Sequence, residues 1–281
     1  MNKQERIKVY ENTVDIVNKG TYTAPNGNEV TINLLDEYMM ENTKFYGKKI
    51  DISHNSLTRY GTEIKIIDND CIYEAKKLID EGLNPAMLNM ASFSTPGGGV
   101  INGSGAQEEN IFRRTNIFKS LYQFHPIGEN FDIKQREEKY PLDYNFGGIY
   151  TPKVTVFKQG EDKDYELLDE PFKVDVISVS AIKNPKLDEN GHIVPWIKKT
   201  TKNKIKTILD IALENKNDSL VLSAFGCGAY NTPPLEMAKL FADVLASEEY
   251  ENLFIKIHFA IIETPGHSPR GNYQAFKEVF G

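Results

Sequence analysis

The chain has 281 residues, 40% of them hydrophobic and 26% charged, with a formal net charge of −7 at pH 7. That composition is ordinary for a globular protein and supplies enough apolar surface for a sizeable core, which argues against global disorder. The excess of 40 acidic over 33 basic residues repels polyanions at long range and excludes nonspecific nucleic-acid binding, and no stretch approaches the roughly 20 apolar residues of a membrane span.

The two cysteines, Cys71 and Cys227, sit in unlike contexts and give neither a disulfide framework nor a zinc spacing. A cytoplasmic protein is expected, because the N-terminal segment lacks the uninterrupted apolar core of a signal peptide. His54, His125, His192, His258 and His267 show no HExxH or paired zinc-ligand pattern and are read as structural or surface residues.

In chain order, Ile7, Tyr10, Val14 and Val17 are spaced as one face of a helix over 2–18, with Gly20 as its C-cap. Residues 21–34 read as a hairpin turning at Pro25-Asn26-Gly27-Asn28, and a helical stretch over 34–45 completes an N-terminal appendage spanning 1–55. From Thr62 strand and helix alternate through a second domain, 56–281. Strands are predicted near 63–67, 86–91, 172–179, 219–224 and 253–262, with helices over 70–81, 107–124, 199–214, 234–246 and 272–280. The alternation predicts an α/β fold with a largely parallel sheet. The polar stretch 125–170, with Gly147-Gly148 and several prolines, is read as an inserted lobe carrying a strand over 149–157.

The informative segment begins at Asn89 in a strand and runs through Gly97-Gly98-Gly99-Val100 to Gln107-Glu108-Glu109 at the start of a helix. Successive glycines let main-chain amides approach a ligand closely, as phosphate-binding nests do, but they also serve tight turns. Acidic residues complement the macrodipole in any first helical turn, and neighbouring helical side chains diverge by about 100°, so Glu108 and Glu109 need separate roles if they are functional. A second strand-loop-helix unit carries Phe225-Gly226-Cys227-Gly228-Ala229-Tyr230, and two such loops at the carboxyl edge of a sheet could clamp a diphosphate. Cys227 lacks a visible histidine partner, which favours packing over nucleophilic catalysis. Phe93, Phe225 and Tyr273 are aromatic enough to stack on a base, against the commoner core role.

Three glycines, a seven-residue spacer and then Gln107-Glu108-Glu109 resemble the signature of the bacterial-type poly(ADP-ribose) glycohydrolases. The likeness extends to the Asn89 strand, to Tyr150-Thr151-Pro152, to Leu168-Asp169-Glu170-Pro171-Phe172 and to the second loop, covering most of 60–281. It implies a macrodomain-like three-layer α/β/α fold with a mixed central sheet and an N-terminal helical extension. It also implies hydrolysis of the ribose O-glycosidic linkage of poly(ADP-ribose) on modified proteins by a monomer that needs no cofactor or metal.

By position Glu109 matches the family's catalytic acid and Glu108 its neighbour at the terminal ribose. Asn89, Gly97, Gly98, Gly99, Val100 and Gln107 match the first binding segment, and Phe225, Gly226, Cys227, Gly228, Ala229 and Tyr230 the diphosphate loop. Tyr230 stands where the family often has Phe beside the terminal ribose. A helix N-terminus favours carboxylate over acid, so the proton is expected to be gained beside the substrate's diphosphate. A mono-ADP-ribosyl hydrolase and a non-catalytic ADP-ribose reader are the alternatives; a pure reader has no need of the Glu108-Glu109 pair.

Overall fold

The computed structural model describes residues 1–263 and 271–281. Helix α1 (Lys3–Lys19) leads into strands β1 (Thr21–Thr23) and β2 (Glu29–Thr31), helix α2 (Asp36–Asn42) and strand β3 (Lys44–Tyr46). Strand β4 (Glu63–Ile67), helix α3 (Cys71–Asp80) and strand β5 (Pro85–Met90) follow, then helices α4 (Gln107–Arg114) and α5 (Phe118–Leu121). The remaining elements are β6 (Gly148–Lys158), β7 (Leu167–Val179), α6 (Pro195–Glu214), β8 (Ser219–Leu222), α7 (Pro234–Leu245), β9 (Lys256–Ala260) and α8 (Asn272–Phe280). His267 falls outside the described residues.

Local chemistry accounts for the boundaries. The Asn2 side chain accepts from Glu5 N–H while the Glu5 carboxylate accepts from Asn2 N–H, a capping box that starts α1; Gly20 ends it with a φ of 79° and an N–H donated to Ile16 O. Asp70 caps α3 by accepting from Ile72 and Tyr73 N–H. The expected hairpin forms in the register Thr21↔Thr31.

Two predicted helices are shorter than expected. The stretch 34–45 stops at Asn42, because Thr43 turns extended and returns its hydroxyl to Met39 O, and Phe45 lies in β3. The stretch 107–124 breaks at Thr115, whose backbone is extended at a φ of −140° and bridges Val156 of β6. A β-branched residue that can pair with a neighbouring strand leaves the helix at little cost.

The chain forms two compact units, each discontinuous in sequence. The first comprises 1–45, 91–142 and 149–178 and orders its strands β3-β6-β7; the second comprises 46–90, 143–148 and 179–281 and orders its strands β5-β8-β9-β4. The expected inserted lobe is absent as a separate body, since β6 is buried along nearly its whole length and belongs to the first unit. In the second unit β5 pairs β8 and β9 pairs both β8 and β4, all parallel. Met87 opposite Val221 brings the carboxyl ends of β5 and β8 to one edge. Phe241 of α7 and Phe276 of α8 each place their ring centroid 5.2 Å from that of Phe259 on β9, which builds the core there.

In the first unit α1 is bound by polar contacts inside an aromatic cluster. The Tyr10 and Tyr122 hydroxyls are 2.8 Å apart, and Tyr10 meets Phe118 edge-on at 6.4 Å. Lys158 at the end of β6 is 2% exposed and donates to Val9 O at 3.2 Å, Asn12 Oδ1 at 2.8 Å and Thr13 Oγ1 at 2.9 Å. These acceptors are neutral, and burial pushes the Lys158 ammonium down from its usual 10.5 to about 7. The unfolded chain therefore binds more protons than the folded one between those values, and stability should rise with pH across that window. The expected gain from this one group approaches about 1.4 kcal/mol per pH unit. Chemical denaturation of the native protein and of Lys158→Met at about pH 7 and about pH 9 checks this: the native protein should gain the extra slope, and parallel behaviour would contradict it.

Candidate active site

The loop after β5 begins in the first unit at Ala91 and returns to α4 through a single turn of 3-10 helix, Val100–Asn102. Gly98 N–H donates to Thr95 O at 3.0 Å, Val100 N–H to Gly97 O at 3.0 Å and Ser104 N–H to Gly99 O at 3.1 Å, so the loop is a set of interlocked turns. Gly97 and Gly98 have φ values of +78° and +53°, a region that side-chain-bearing residues rarely adopt. Gly99 has an ordinary φ of −99°, and glycine is required there for space: a Cβ would lie 2.3 Å from Ser104 Oγ.

The two glutamates turn towards this loop. Glu108, 4% exposed, accepts from Ser92 N–H at 2.7 Å with Oε2 and from Gly97 N–H at 3.0 Å with Oε1. Glu109, 7% exposed, accepts from Gly99 N–H at 2.9 Å with Oε1, while its Oε2 is buried and without a hydrogen-bond partner. A Cβ on Gly98 would stand 2.6 Å from Glu109 Oε1 and 3.2 Å from Glu108 Oε2. The helix-start carboxylates thus serve the loop amides, and their divergent directions give them different partners, as adjacent helical positions require.

Of the residues singled out in the sequence, Gly97, Gly98, Gly99, Glu108 and Glu109 are brought into direct contact. Val100 is buried in the loop's own turn, and Gln107 opens α4. Arg113 and Arg114, both fully buried, were not foreseen. Arg113 Nε donates to Arg6 O of α1 at 3.1 Å and its Nη2 donates to Ser104 O. Burial pulls its pKa below the usual arginine value, with Tyr165 and Glu109 acting in the opposite sense. Its place four residues after Glu109 was the available signal, since such pairs share a helix face.

Asn89 and the second loop belong to the second unit. Asn89 lies near the end of β5 and is fully buried, and the loop leaves β8 at the same sheet edge. Gly226, with a φ of +75°, would place a Cβ 2.7 Å from Thr232 Oγ1 and 2.8 Å from Ala181 Cβ, and Thr232 N–H closes the turn on Gly226 O at 3.0 Å. Phe225 is fully buried and meets Phe241 edge-on, so its ring is held in the core. Cys227 is buried and outside any disulfide, whereas Gly228 and Ala229 are exposed and Tyr230 is half-buried, with its carbonyl accepting from Asn184 N–H at 2.8 Å. Among the described residues no group of three or more His, Cys, Asp or Glu side chains is placed to hold a metal ion, and no helix is long and apolar enough to cross a membrane.

The demands of Gly98 and of Gly99 can be separated. Gly98→Ala should cost at least about 1–3 kcal/mol of stability through its left-handed backbone, with the approach of its Cβ to Glu109 Oε1 added to that. Gly99→Ala should be destabilising through Ser104 alone, so Ser104→Gly in the same chain should recover most of that loss and leave Gly98→Ala unimproved. Thermal unfolding of the four variants checks this, and rescue of both alanines or of neither would contradict it.

The model of the family described as the catalytic domain of microbial-type PARG matches residues 10–159. No curated protein sequence matches. Among solved structures, poly(ADP-ribose) glycohydrolase from Thermomonospora curvata, bound to the inhibitor ADP-HPD, is similar with a TM-score of 0.81 at 28% identity, over 98% of this chain and 99% of that one. The enzyme of the same description from Deinococcus radiodurans, in complex with ADP-ribose, gives a TM-score of 0.68 at 23% identity, over 89% of this chain and 98% of that one. The fold is the macrodomain-like α/β arrangement that the resemblance implies.

Proposed function

The chain belongs to the microbial-type PARG catalytic-domain family, and from that premise we propose that it cleaves the ribose O-glycosidic linkage of poly(ADP-ribose) with Glu109 as general acid. The observation that carries this assignment is the division of labour within one carboxyl group. Glu109 Oε1 accepts from Gly99 N–H, an interaction that favours the unprotonated oxygen as the stronger acceptor, and Oε2 has no hydrogen-bond partner. A proton on Glu109 therefore belongs on Oε2, and the loop amide fixes which oxygen carries it.

In the proposed reaction the bond between the ribose anomeric carbon and the leaving oxygen breaks while Oε2 gives its proton to that oxygen. Water then adds to the oxocarbenium-like carbon and returns a proton to the carboxylate. Glu108 holds the loop by two amides and is read as the group that meets the terminal ribose. Asn89, Gly97, Val100 and Gln107 are read as further binding positions at the first loop. In the second loop, Gly226, Gly228 and Ala229 are read as main-chain donors to the diphosphate and Tyr230 as the group beside the terminal ribose. Phe225 and Cys227 shape that turn from beneath. We read the protein as a cytoplasmic monomer acting on ADP-ribosylated proteins, in keeping with two buried cysteines that form no disulfide.

Glu109→Gln should bind ADP-ribose and lose turnover by about 10²–10⁴-fold, the usual contribution of general acid catalysis. Calorimetry with ADP-ribose and chromatography of the products from poly- and mono-ADP-ribosylated proteins test this on one preparation. Release near the native rate would overturn the assignment, and release from the mono-modified protein alone would move the substrate to the monomer.

Residues 1–55 are read as an appendage that backs the catalytic domain 56–281 at the glycine loop. Their removal takes away the Arg6 acceptor of Arg113, the acceptors of Lys158 and the partner of Tyr122. The truncated chain should lose cooperative unfolding as followed by circular dichroism; a stable, active remainder would show that the appendage is dispensable.

A further inference from the structure

Arg113 lies one helical turn beyond Glu109 on α4, where residues four apart share a face, and it is fully buried. Its guanidinium bridges two carbonyls on different segments, Arg6 O of α1 and Ser104 O at the end of the glycine loop. Ser104 N–H donates to Gly99 O at 3.1 Å, and Gly99 N–H donates to Glu109 Oε1 at 2.9 Å. The path from Arg113 through Ser104 and Gly99 to Glu109 returns to Arg113 along the helix, so these residues close a ring. Any displacement of Ser104 is passed to the amide that orients the carboxyl group. A planar fork of donors sets the separation of two acceptors, which a single ammonium cannot do.

Resting on the reading of Glu109 as the proton donor, we propose that Arg113 is a positioning residue that fixes the Glu109 carboxyl group through Ser104 and Gly99, and that it makes α1 part of that support. The guanidinium touches no reacting atom on this account. Its role is to hold the loop at the distance at which Gly99 N–H meets Oε1, leaving Oε2 for the proton. Gly99 has no side chain because Ser104 must close on it, with only 2.3 Å between a Cβ and Ser104 Oγ.

The test is Arg113→Lys in the full chain, which keeps the charge and loses the fork. The expected result is a fall in kcat of about 10- to 100-fold with KM and ADP-ribose affinity within about twofold, since misplacement of a catalytic group by about 1 Å is felt on that scale. In a Glu109→Gln background the same substitution should change residual turnover by less than about twofold, because the group it positions is gone. A native kcat, an equal loss in both backgrounds or a loss that appears as weaker binding would overturn the proposal. Turnover by Glu109→Gln alone would instead overturn the acid assignment, and the proposal with it. Should Arg113→Lys fail to fold, Gly99→Ala opens the ring at its opposite link with Arg113 intact, and the same loss, again confined to the chain that retains Glu109, is expected; losses that add to that of Glu109→Gln would count against the ring.

Discussion

A buried backbone N–H must find an acceptor, and in the loop after β5 the amides of Ser92, Gly97 and Gly99 find theirs on two side chains at the start of α4. That requirement organises the site. It explains why two carboxylates stand together at a helix N-terminus, why both are almost fully buried there, and why a side chain at Gly98 would collide with Glu109. An isolated carboxylate in such a place would be costly; one that receives amide hydrogens is a structural part of the turn. The geometry also gives the two glutamates unequal freedom, since Glu108 has an amide on each oxygen and Glu109 on only one.

The loop is supported from behind as well. Arg6 reaches Glu161 at 2.8 Å, and a Cβ on Gly105 would lie 2.5 Å from Arg6 Nη1, so the first turns of α1 press against the segment that leads into α4. Lys3 O comes so near Gly103 that a Cβ there would be 2.2 Å from it. The glycines of this loop therefore answer to two causes: Gly97, Gly98 and Gly103 admit both a left-handed backbone and a close neighbour, whereas Gly99 and Gly105 admit the neighbour alone.

Much of this was legible in the sequence because it is local. The C-cap at Gly20, the hairpin and the two glycine loops are written in residues a few positions apart, and each formed where its pattern lies. The break at Thr115 was not legible, because it depends on Val156 becoming its neighbour. Arg113 escaped notice for a similar reason: arginine near a helix C-terminus is unremarkable until Arg6 O and Ser104 O are seen around it. Phe225 shows the converse, since proximity to a glycine loop suggested ligand contact and tertiary packing against Phe241 gave the ring a place in the core. The polar character of 125–170 suggested an insertion, yet β6 within it is among the most buried strands. The strand over 149–157 was expected; composition averaged over a long stretch hid its burial.

The interleaving of the first unit bears on how the molecule is made. Its contacts join Arg113 to Arg6 across 107 positions and Lys158 to Val9 across 149. A ribosome delivers α1 first and β7 last, so the amphipathic helix leaves the exit tunnel long before the surfaces that cover Tyr10 and Val17 exist. Until Phe118 and Tyr122 have emerged, Tyr10 on α1 lacks the rings that cover it, and loop closure over such distances slows the search for its partners. The support behind Glu109 thus waits for Arg113 to follow Arg6 by 107 positions, and the nascent chain depends on holdase binding or rapid collapse to keep α1 available for it.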